Sequence, residues 1–338
     1  MQSKRRGIVL VNLGTPDAPT PVAVWRYLRA LLDDPRVMPM SAILRWLLVN
    51  LVIAPFRARA SARLYRAIWT AAGSPLLVHA RGLAEEVQKR FPNDTVAIGM
   101  QVGSPSIADA MGMLGAVDEL VIVPLYPQNA AATVGGATAA ALLAWRDLGR
   151  SSDVRIVPPF FEDAGFGGAI ARRIVEAGTF DHLVFSFHGL PVAQVPCVDA
   201  ACEARTSDTS RDCYRSQCFA TARAVGDALA ARGAVPSWSV SFQSRLGRAE
   251  WLGPTTHDHL AELARAGIRC VAVACPAFVA DCLETLHEIA VEEREAFIAA
   301  GGTQLVLVRG LNSGSDWADA LASIIDTEPA YSPPPRKA

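Results

Sequence analysis

Short apolar runs recur along the whole chain, and each is followed by a turn and then by a helical pattern. The runs are residues 8–11, 96–102, 119–125, 153–158, 182–187, 238–243, 270–274 and 304–308. Strands that alternate with helices favour parallel pairing, because a crossover is needed to return the chain to the same end of the sheet. We therefore expect an α/β fold with parallel, doubly wound sheets flanked by helices.

The chain has 338 residues, which is enough for two domains with separate hydrophobic cores. The strand–helix pattern repeats in its second half, so we expect similar domains at residues 1–150 and 151–325. Residues 326–338 are rich in proline and are expected to form a tail. A cleft between two such domains is the default place for a ligand.

The net charge and the amino terminus indicate which partners and compartment to expect. The formal net charge is -1, which gives no reason to expect a nucleic acid as partner. The basic amino terminus leads directly into the apolar run 8–11, which is too short for a signal peptide. We therefore expect a cytoplasmic protein, and the sequence leaves a monomer and a homodimer both open.

One segment of the first domain, within about residues 38–70, qualifies that expectation. Residues 42–56 are strongly apolar but shorter than the roughly 20 residues of a membrane-spanning helix. The arginines directly behind them are Arg57, Arg59, Arg63 and Arg66. This order suits a lip that rims an apolar pocket or contacts the inner membrane peripherally through residues 42–66. A buried helix followed by a solvated one is the other interpretation.

The run 182–187 ends at His188, where Gly189 and Pro191 predict a turn. Ligands of open α/β sheets bind at the carboxyl ends of the strands. A histidine there has a pKa near neutral pH and can accept a proton or bind a metal. A lone histidine in this place also serves as a polar end to a strand, so further residues must decide its role.

A second stretch, residues 275–284, follows an apolar strand and enters a helix. Glu284, Glu288 and Glu292 recur along that helix every four residues. In an α-helix this spacing forms one column of carboxylates, each roughly 6 Å from the next. The column is either a solvated face or a path for protons or cations, and Glu284 would be its inner end.

A third stretch comprises residues 242–247 and 251–255 and supplies aromatic, basic and glycine-turn residues to the same end of the sheet. Together with residues 11–16, 73–76, 125–128, 185–191 and 281–286, these stretches resemble the ferrochelatase family. The resemblance runs from about residue 7 to residue 325. It implies a chelatase-like fold of two similar Rossmann-like domains that hold a porphyrin between them.

The resemblance also implies an activity: a lyase that inserts ferrous iron, as substrate, into protoporphyrin IX to form protoheme. His188 and Glu284 match the family's catalytic pair, and with Glu288 and Glu292 they would form the iron path. Porphyrin contacts are expected at Leu13, Tyr126, Trp251 and Phe278. We expect the site to bend the macrocycle while His188 accepts the pyrrole protons.

Two positions depart from relatives. Cys282 stands where many animal members have histidine, and Leu13 stands where some Gram-positive members have tyrosine. The second difference weighs against the branch of the family that uses coproporphyrin. Alternatives that remain are a chelatase for coproporphyrin III or a cobalt corrinoid precursor, and a heme- or iron–sulfur-binding protein without turnover.

Four cysteines lie close together after the histidine stretch: Cys197, Cys202, Cys213 and Cys218. Clustered thiols in a cytoplasmic protein indicate a metal centre more often than disulfides. Zinc sites prefer short gaps, whereas iron–sulfur clusters tolerate the gaps of four, ten and four residues seen here. Because some bacterial ferrochelatases carry an internal cysteine group, a [2Fe–2S] cluster is expected; zinc or no metal are the alternatives.

Overall fold

The structure is a computed structural model, and it describes residues 4–195, 213–245, 247 and 249–327. The described residues divide into two compact units. Unit 1 contains those in the ranges Met1–Tyr126, Ala130–Pro159 and Ser313–Ala338, and unit 2 contains those in Pro127–Asn129 and Phe160–Asn312. Each unit contains one parallel sheet, as the alternating pattern predicts.

All eight expected strands are present. They are β1 (Arg6–Gly14), β2 (Thr95–Val102), β3 (Glu119–Pro124), β4 (Asp153–Ile156), β5 (His182–His188), β6 (Trp238–Gln243), β7 (Cys270–Ala274) and β8 (Gln304–Leu307). The sheet orders are β2-β1-β3-β4 in unit 1 and β6-β5-β7-β8 in unit 2, with every pairing parallel. The two orders are equivalent, so the repeated sequence pattern corresponds to a repeated topology.

Helices connect the strands. Those of unit 1 are α1 (Pro21–Leu32), α2 (Ala42–Leu47), α3 (Ala54–Ile68), α4 (Pro75–Arg90), α5 (Ile107–Met113), α6 (Gly136–Asp147) and the last helix, α11 (Ser315–Thr327). Those of unit 2 are α7 (Ala164–Glu176), α8 (Tyr214–Ala230), α9 (Thr256–Arg265) and α10 (Arg294–Ala299). Three segments are π-helices: π1 (Leu48–Ile53), π2 (Ala131–Gly135) and π3 (Glu284–Glu293). A 3-10 turn spans Val192–Gln194.

The order of the strands determines where a ligand site can form. In unit 2 the chain passes from β5 to β6 on one side and then crosses to β7 on the other side. The carboxyl ends of β5 and β7 therefore flank a topological switch point, where open α/β sheets bind ligands. Strand β5 is fully buried from Leu183 to Phe187, so the sheet is a rigid support for its half-buried last residue, His188.

The chain divides differently from the expected boundary near residue 150. The division lies between Pro159 and Phe160, and α11 belongs to unit 1 instead of the second half. The reason is packing and charge: Trp317 is 0% exposed, Arg90 pairs with Asp319 at 2.8 Å, and Arg6 pairs with Asp326 at 2.7 Å. Periodicity along the sequence does not reveal such a return of the chain to its first sheet.

The apolar segment at residues 42–56 is exposed and is not the buried helix of the alternative interpretation. It forms α2, π1 and the start of α3, and Ile43 and Phe56 are 77% and 79% exposed. The four arginines that follow also lie on the surface. Within the part of the chain that the structure describes, no helix combines the length and hydropathy needed to span a bilayer.

Candidate active site

His188 is the last residue of β5 and lies at the switch point of unit 2. Its register partner on β6 is Gln243. The Tyr214 hydroxyl, from the first residue of α8, donates to the His188 carbonyl at 2.7 Å. The Gly189 N–H donates to the Gln243 carbonyl at 2.8 Å, which continues the pairing one residue beyond the strand. These contacts fix the backbone from which the imidazole projects.

The hydrogen bond of the His188 ring defines its useful tautomer. Nδ1 lies 2.7 Å from the Gly189 carbonyl oxygen, which can only accept. Nδ1 must therefore carry the proton, and the Nε2 atom of the neutral ring keeps its lone pair. The Phe278 ring packs edge-on against the imidazole, with ring centroids 6.1 Å apart. The strand tip therefore presents a proton acceptor beside an aromatic wall.

The expected acidic helix is a π-helix, π3, which begins at Glu284. Hydrogen bonding from residue i to i+5 gives roughly 4.4 residues per turn instead of 3.6. Over two turns the residue that returns to the face of Glu284 is therefore Glu293 instead of Glu292. Glu293 is buried and its carboxylate lies 3.1 Å from Nδ1 of His257, whereas Glu292 is exposed and pairs with His287 at 3.3 Å.

Glu288 occupies the middle of this face and is half-buried. Its carboxylate accepts hydrogen bonds from the Ser244 backbone N–H at 2.7 Å and from the Ser244 hydroxyl at 2.6 Å. Burial raises the pKa of Glu288, and the bonds from Ser244 oppose that shift; the charge of Glu284 adds to it and the His188 ring opposes it. Glu288 is therefore close enough to both Glu284 and His188 for their charges to affect its pKa.

Burial also raises the pKa of Glu293, although its contact with His257 opposes the shift. Two carboxylates on one face of π3 therefore have a raised affinity for protons. A carboxyl group with a pKa moved toward neutral can both accept and release a proton under ordinary conditions. The face is consequently suited to proton transfer.

The other expected residues of unit 2 lie around the same loops. Pro191 pairs with Trp251 in a short antiparallel bridge, and the Leu252 N–H donates to the Leu190 carbonyl at 2.9 Å. Cys282, two residues before Glu284, is buried, and its thiol has a raised pKa because of burial and the nearby Glu284 carboxylate. The structure thus brings together His188, Phe278, Glu284 and Glu288, with Trp251 on the adjoining loop.

Leu13 and Tyr126 belong to unit 1. Leu13 lies near the carboxyl end of β1 and Tyr126 follows β3, so they flank the equivalent switch point of that sheet. Tyr126 is buried and its hydroxyl donates to the Gln101 side chain. Leu13 is partly buried against the core of unit 1.

Two of the four clustered cysteines, Cys197 and Cys202, lie outside the described residues. Cys213 precedes α8 and Cys218 lies within it, and both are buried. Burial raises the pKa of the Cys218 thiol, and the nearby Cys213 adds to the shift. Within the described residues, no three His, Cys, Asp or Glu side chains are grouped as they would be around a metal ion.

Several supporting residues were missed by sequence reasoning, namely Tyr214, Ser244, His257 and Glu293. Ser244 has a left-handed backbone, with φ of 66°, which directs its N–H and hydroxyl toward Glu288. Nothing in a single sequence signals that conformation for a serine. The presence of a second acid beside Glu292 was visible, but only the π-helical turn shows which of the two is buried.

The equivalent parallel sheets, with an imidazole and carboxylates gathered at the strand ends of one of them, define a chelatase-like α/β protein. A solved structure titled SirB from Bacillus subtilis with Fe3+ has a similar fold. It aligns with a TM-score of 0.54 over 95% of this chain and 94% of that chain, at 13% sequence identity.

Closer relatives identify the family. The ferrochelatase family model matches residues 5–328. A ferrochelatase of Bdellovibrio bacteriovorus is 39% identical over 333 residues, covering 95% of this chain and 98% of the relative. A ferrochelatase of Azoarcus sp. is 42% identical over 337 residues, covering 96% and 88%. The chain belongs to the ferrochelatase family, and it is an enzyme of the lyase class.

The raised pKa of Glu288 predicts a pH-dependent gain in stability for Glu288→Gln. The folded protein favours the protonated carboxyl, so this part of its stability is present below the unfolded value of 4.5 and is lost as pH rises through the raised folded value. Glutamine resembles the protonated form at every pH. We expect Glu288→Gln to raise the free energy of unfolding at pH 8, measured by urea denaturation, and the gain to shrink toward pH 5.

The matched control is Glu292→Gln, which removes an exposed acid from the same helix. Surface substitutions usually change stability by less than about 0.5 kcal/mol, so this variant should follow the wild type across the range. A gain for Glu288→Gln that is equal at pH 5 and pH 8 would contradict the raised pKa.

Proposed function

We propose that the enzyme inserts Fe2+ into protoporphyrin IX, with His188 as the acceptor of the pyrrole protons. The observation that carries this proposal is the hydrogen bond from His188 Nδ1 to the Gly189 carbonyl, which leaves Nε2 as a fixed lone pair at the strand tip. A free-base porphyrin holds two N–H protons where the metal must enter, so metallation requires such a base. Membership of the ferrochelatase family supports the same reaction.

Metallation has a second requirement, which is a group beside the imidazole that receives charge. The carboxylates meet this requirement. Glu284 begins π3, and Glu288 lies one turn further with a raised pKa. We assign the proton path to these residues and the path of the iron substrate to His188, Glu284 and Glu288, with the exposed Glu292 at its outer end. Fe2+ must move toward the porphyrin while the pyrrole protons move away from it. A line of carboxylates can bind either the metal ion or a proton, so it can serve both movements.

Bending of the macrocycle is the third requirement, because a flat porphyrin directs its nitrogen lone pairs into the ring plane. Rigid aromatic and aliphatic groups that fit the bent ring better than the flat ring lower the barrier to metallation. We assign this role to Trp251 and Phe278 in unit 2 and to Leu13 and Tyr126 in unit 1. An apolar side chain at position 13 favours protoporphyrin IX over coproporphyrin III, as the sequence resemblance implies.

Anaerobic incubation of the purified protein with Fe2+ tests the reaction and its substrate. We expect the free-base absorbance bands of protoporphyrin IX to disappear with time, and coproporphyrin III to react more slowly. Preferential turnover of coproporphyrin III, or of a corrinoid precursor with Co2+, would assign a different tetrapyrrole. Binding of porphyrin without turnover would indicate a carrier or sensor.

In the same assay His188→Ala should abolish turnover and leave porphyrin binding, followed by fluorescence quenching, intact. Loss of a general base costs about 10²–10⁴-fold in rate. His182→Ala is the control, since His182 begins the same strand at its opposite end. Near-normal turnover by His188→Ala would refute the role of proton acceptor.

We further propose that Cys197, Cys202, Cys213 and Cys218 hold a [2Fe–2S] cluster, which supplies a one-electron redox centre when bound. The described pair fits this ligation, because Cys213 and Cys218 are buried and near each other at the start of α8. Burial disfavours a bare thiolate at Cys218, and bound iron would supply the compensating positive charge.

The cluster proposal predicts a coloured protein with an EPR signal after reduction and with acid-labile sulfide. Cys213→Ala should lose all three properties. Cys270→Ala should keep them, because Cys270 is on β7 and outside the cysteine group. A colourless protein that holds stoichiometric zinc would replace the cluster with a zinc site.

Residues 42–66 support a peripheral contact with an anionic membrane surface. Exposed apolar side chains on α2, π1 and α3, including Ile43 and Phe56, lie next to exposed arginines such as Arg57 and Arg59. Apolar groups that enter the interface and cations that meet lipid phosphates act together in such contacts.

Co-sedimentation with vesicles tests this contact. We expect more binding to vesicles that contain phosphatidylglycerol than to pure phosphatidylcholine, and most of that binding to be lost in a double variant, Ile43→Ser with Phe56→Ser. The matched control is Leu142→Ser with Leu143→Ser, an exposed apolar pair on α6. Equal binding by both double variants would contradict the assignment of the contact.

A further inference from the structure

Gln243, on β6, contacts both the loop after His188 and the first residue of π3. It is the last residue of the strand, is 4% exposed, and pairs in register with His188. Its backbone carbonyl accepts from the Gly189 N–H at 2.8 Å. Its side chain extends in another direction, to the first residue of π3.

The side-chain amide of Gln243 has a defined orientation. Nε2 donates to the Glu284 backbone carbonyl at 3.0 Å. Oε1 accepts from the Ser186 hydroxyl at 2.8 Å and from the Cys275 thiol at 3.5 Å. A flipped amide would direct its NH2 group at the Ser186 hydroxyl and its oxygen at the Glu284 carbonyl, leaving two acceptors facing each other. The donor therefore points at Glu284.

A buried chain of hydroxyl groups fixes this orientation from behind. The Ser186 hydroxyl has one proton and donates it to Gln243. Thr256 must therefore be the donor in the 2.8 Å hydrogen bond between Ser186 and Thr256. The 3.0 Å bond between Thr256 and Ser241 must then be donated by Ser241. All donors point the same way, and the chain ends at the carbonyl of Glu284. Ser186, Ser241 and Thr256 are at most 1% exposed.

We propose that Gln243 is a positioning residue that sets the separation of His188 and Glu284 by binding the loop after one and the backbone of the other. The contact with Glu284 is made to the main chain, so it fixes the start of π3 and leaves the carboxylate of that residue available. Displacement of a reacting group by about 1 Å can cost about 10²-fold in rate. The inference rests on the proposed metallation activity.

Two substitutions distinguish a role of Gln243 in positioning His188 and Glu284 from a role in supporting the fold alone. Gln243→Leu removes both the donor and the acceptor. Gln243→Glu keeps the acceptor and loses the donor when the new carboxyl is ionised, yet regains an O–H donor when it is protonated. Burial raises the pKa of a carboxyl placed there, so protonation falls within an accessible range of pH.

We expect kcat for iron insertion to fall about tenfold or more in Gln243→Leu at every pH, with porphyrin affinity within about twofold of the wild type. For Gln243→Glu the ratio of its kcat to that of the wild type should rise as pH is lowered, toward recovery of activity. Ser239→Ala is the control: it removes a hydrogen-bonded hydroxyl from the other end of β6 and should keep the wild-type kcat.

Wild-type kcat in Gln243→Leu, or parallel pH profiles for the two Gln243 variants, would overturn the proposal. Circular dichroism and the melting temperature establish folding. If neither variant folds, Ser186→Ala carries the test, because it removes the main donor to Oε1: a severalfold loss of kcat at unchanged porphyrin affinity supports positioning, and no loss refutes it. An inactive wild type would instead refute the proposed function.

Discussion

The pairing of β5 between β6 and β7 is the constraint on which the rest of the site depends. Because all three strands run in parallel, their carboxyl ends meet at one edge of the sheet of unit 2. His188 lies at the tip of β5 and Gln243 at the tip of β6, while the chain leaving β7 leads to Glu284. Backbone hydrogen bonding thus brings together residues that are far apart in the sequence.

Beneath that edge the sheet is not purely apolar. Hydroxyl groups on β5, β6 and α9 form a buried network, and each unsatisfied member of such a network would cost about 1–3 kcal/mol. Every hydrogen bond of the network, from Ser241 to the Glu284 carbonyl, is donated in the same direction along the chain of groups. A fully satisfied polar network is rigid, and such rigidity is what the proposed positioning of His188 and Glu284 requires.

The equivalence of the two sheets does not extend to their chemistry. Both units have the same strand order, but the switch point of unit 1 carries Leu13 and Tyr126, whereas that of unit 2 carries His188 and the π3 acids. The widened turns of π3 bury Glu293 and leave Glu292 in solvent. A repeated scaffold with unequal loops thus gives the two units chemically different residues at equivalent strand ends.

The sequence by itself determined the α/β class, all eight strands and the placement of His188 at a strand end, because strand periodicity and turn residues are local signals. The tertiary structure alone decided that α11 returns to unit 1, that the acidic helix is a π-helix and that Gln243 joins the two groups. The first and third of these features depend on contacts between residues distant in the chain, namely Arg90 with Asp319 and Gln243 with Glu284. Local periodicity carries no information about such contacts.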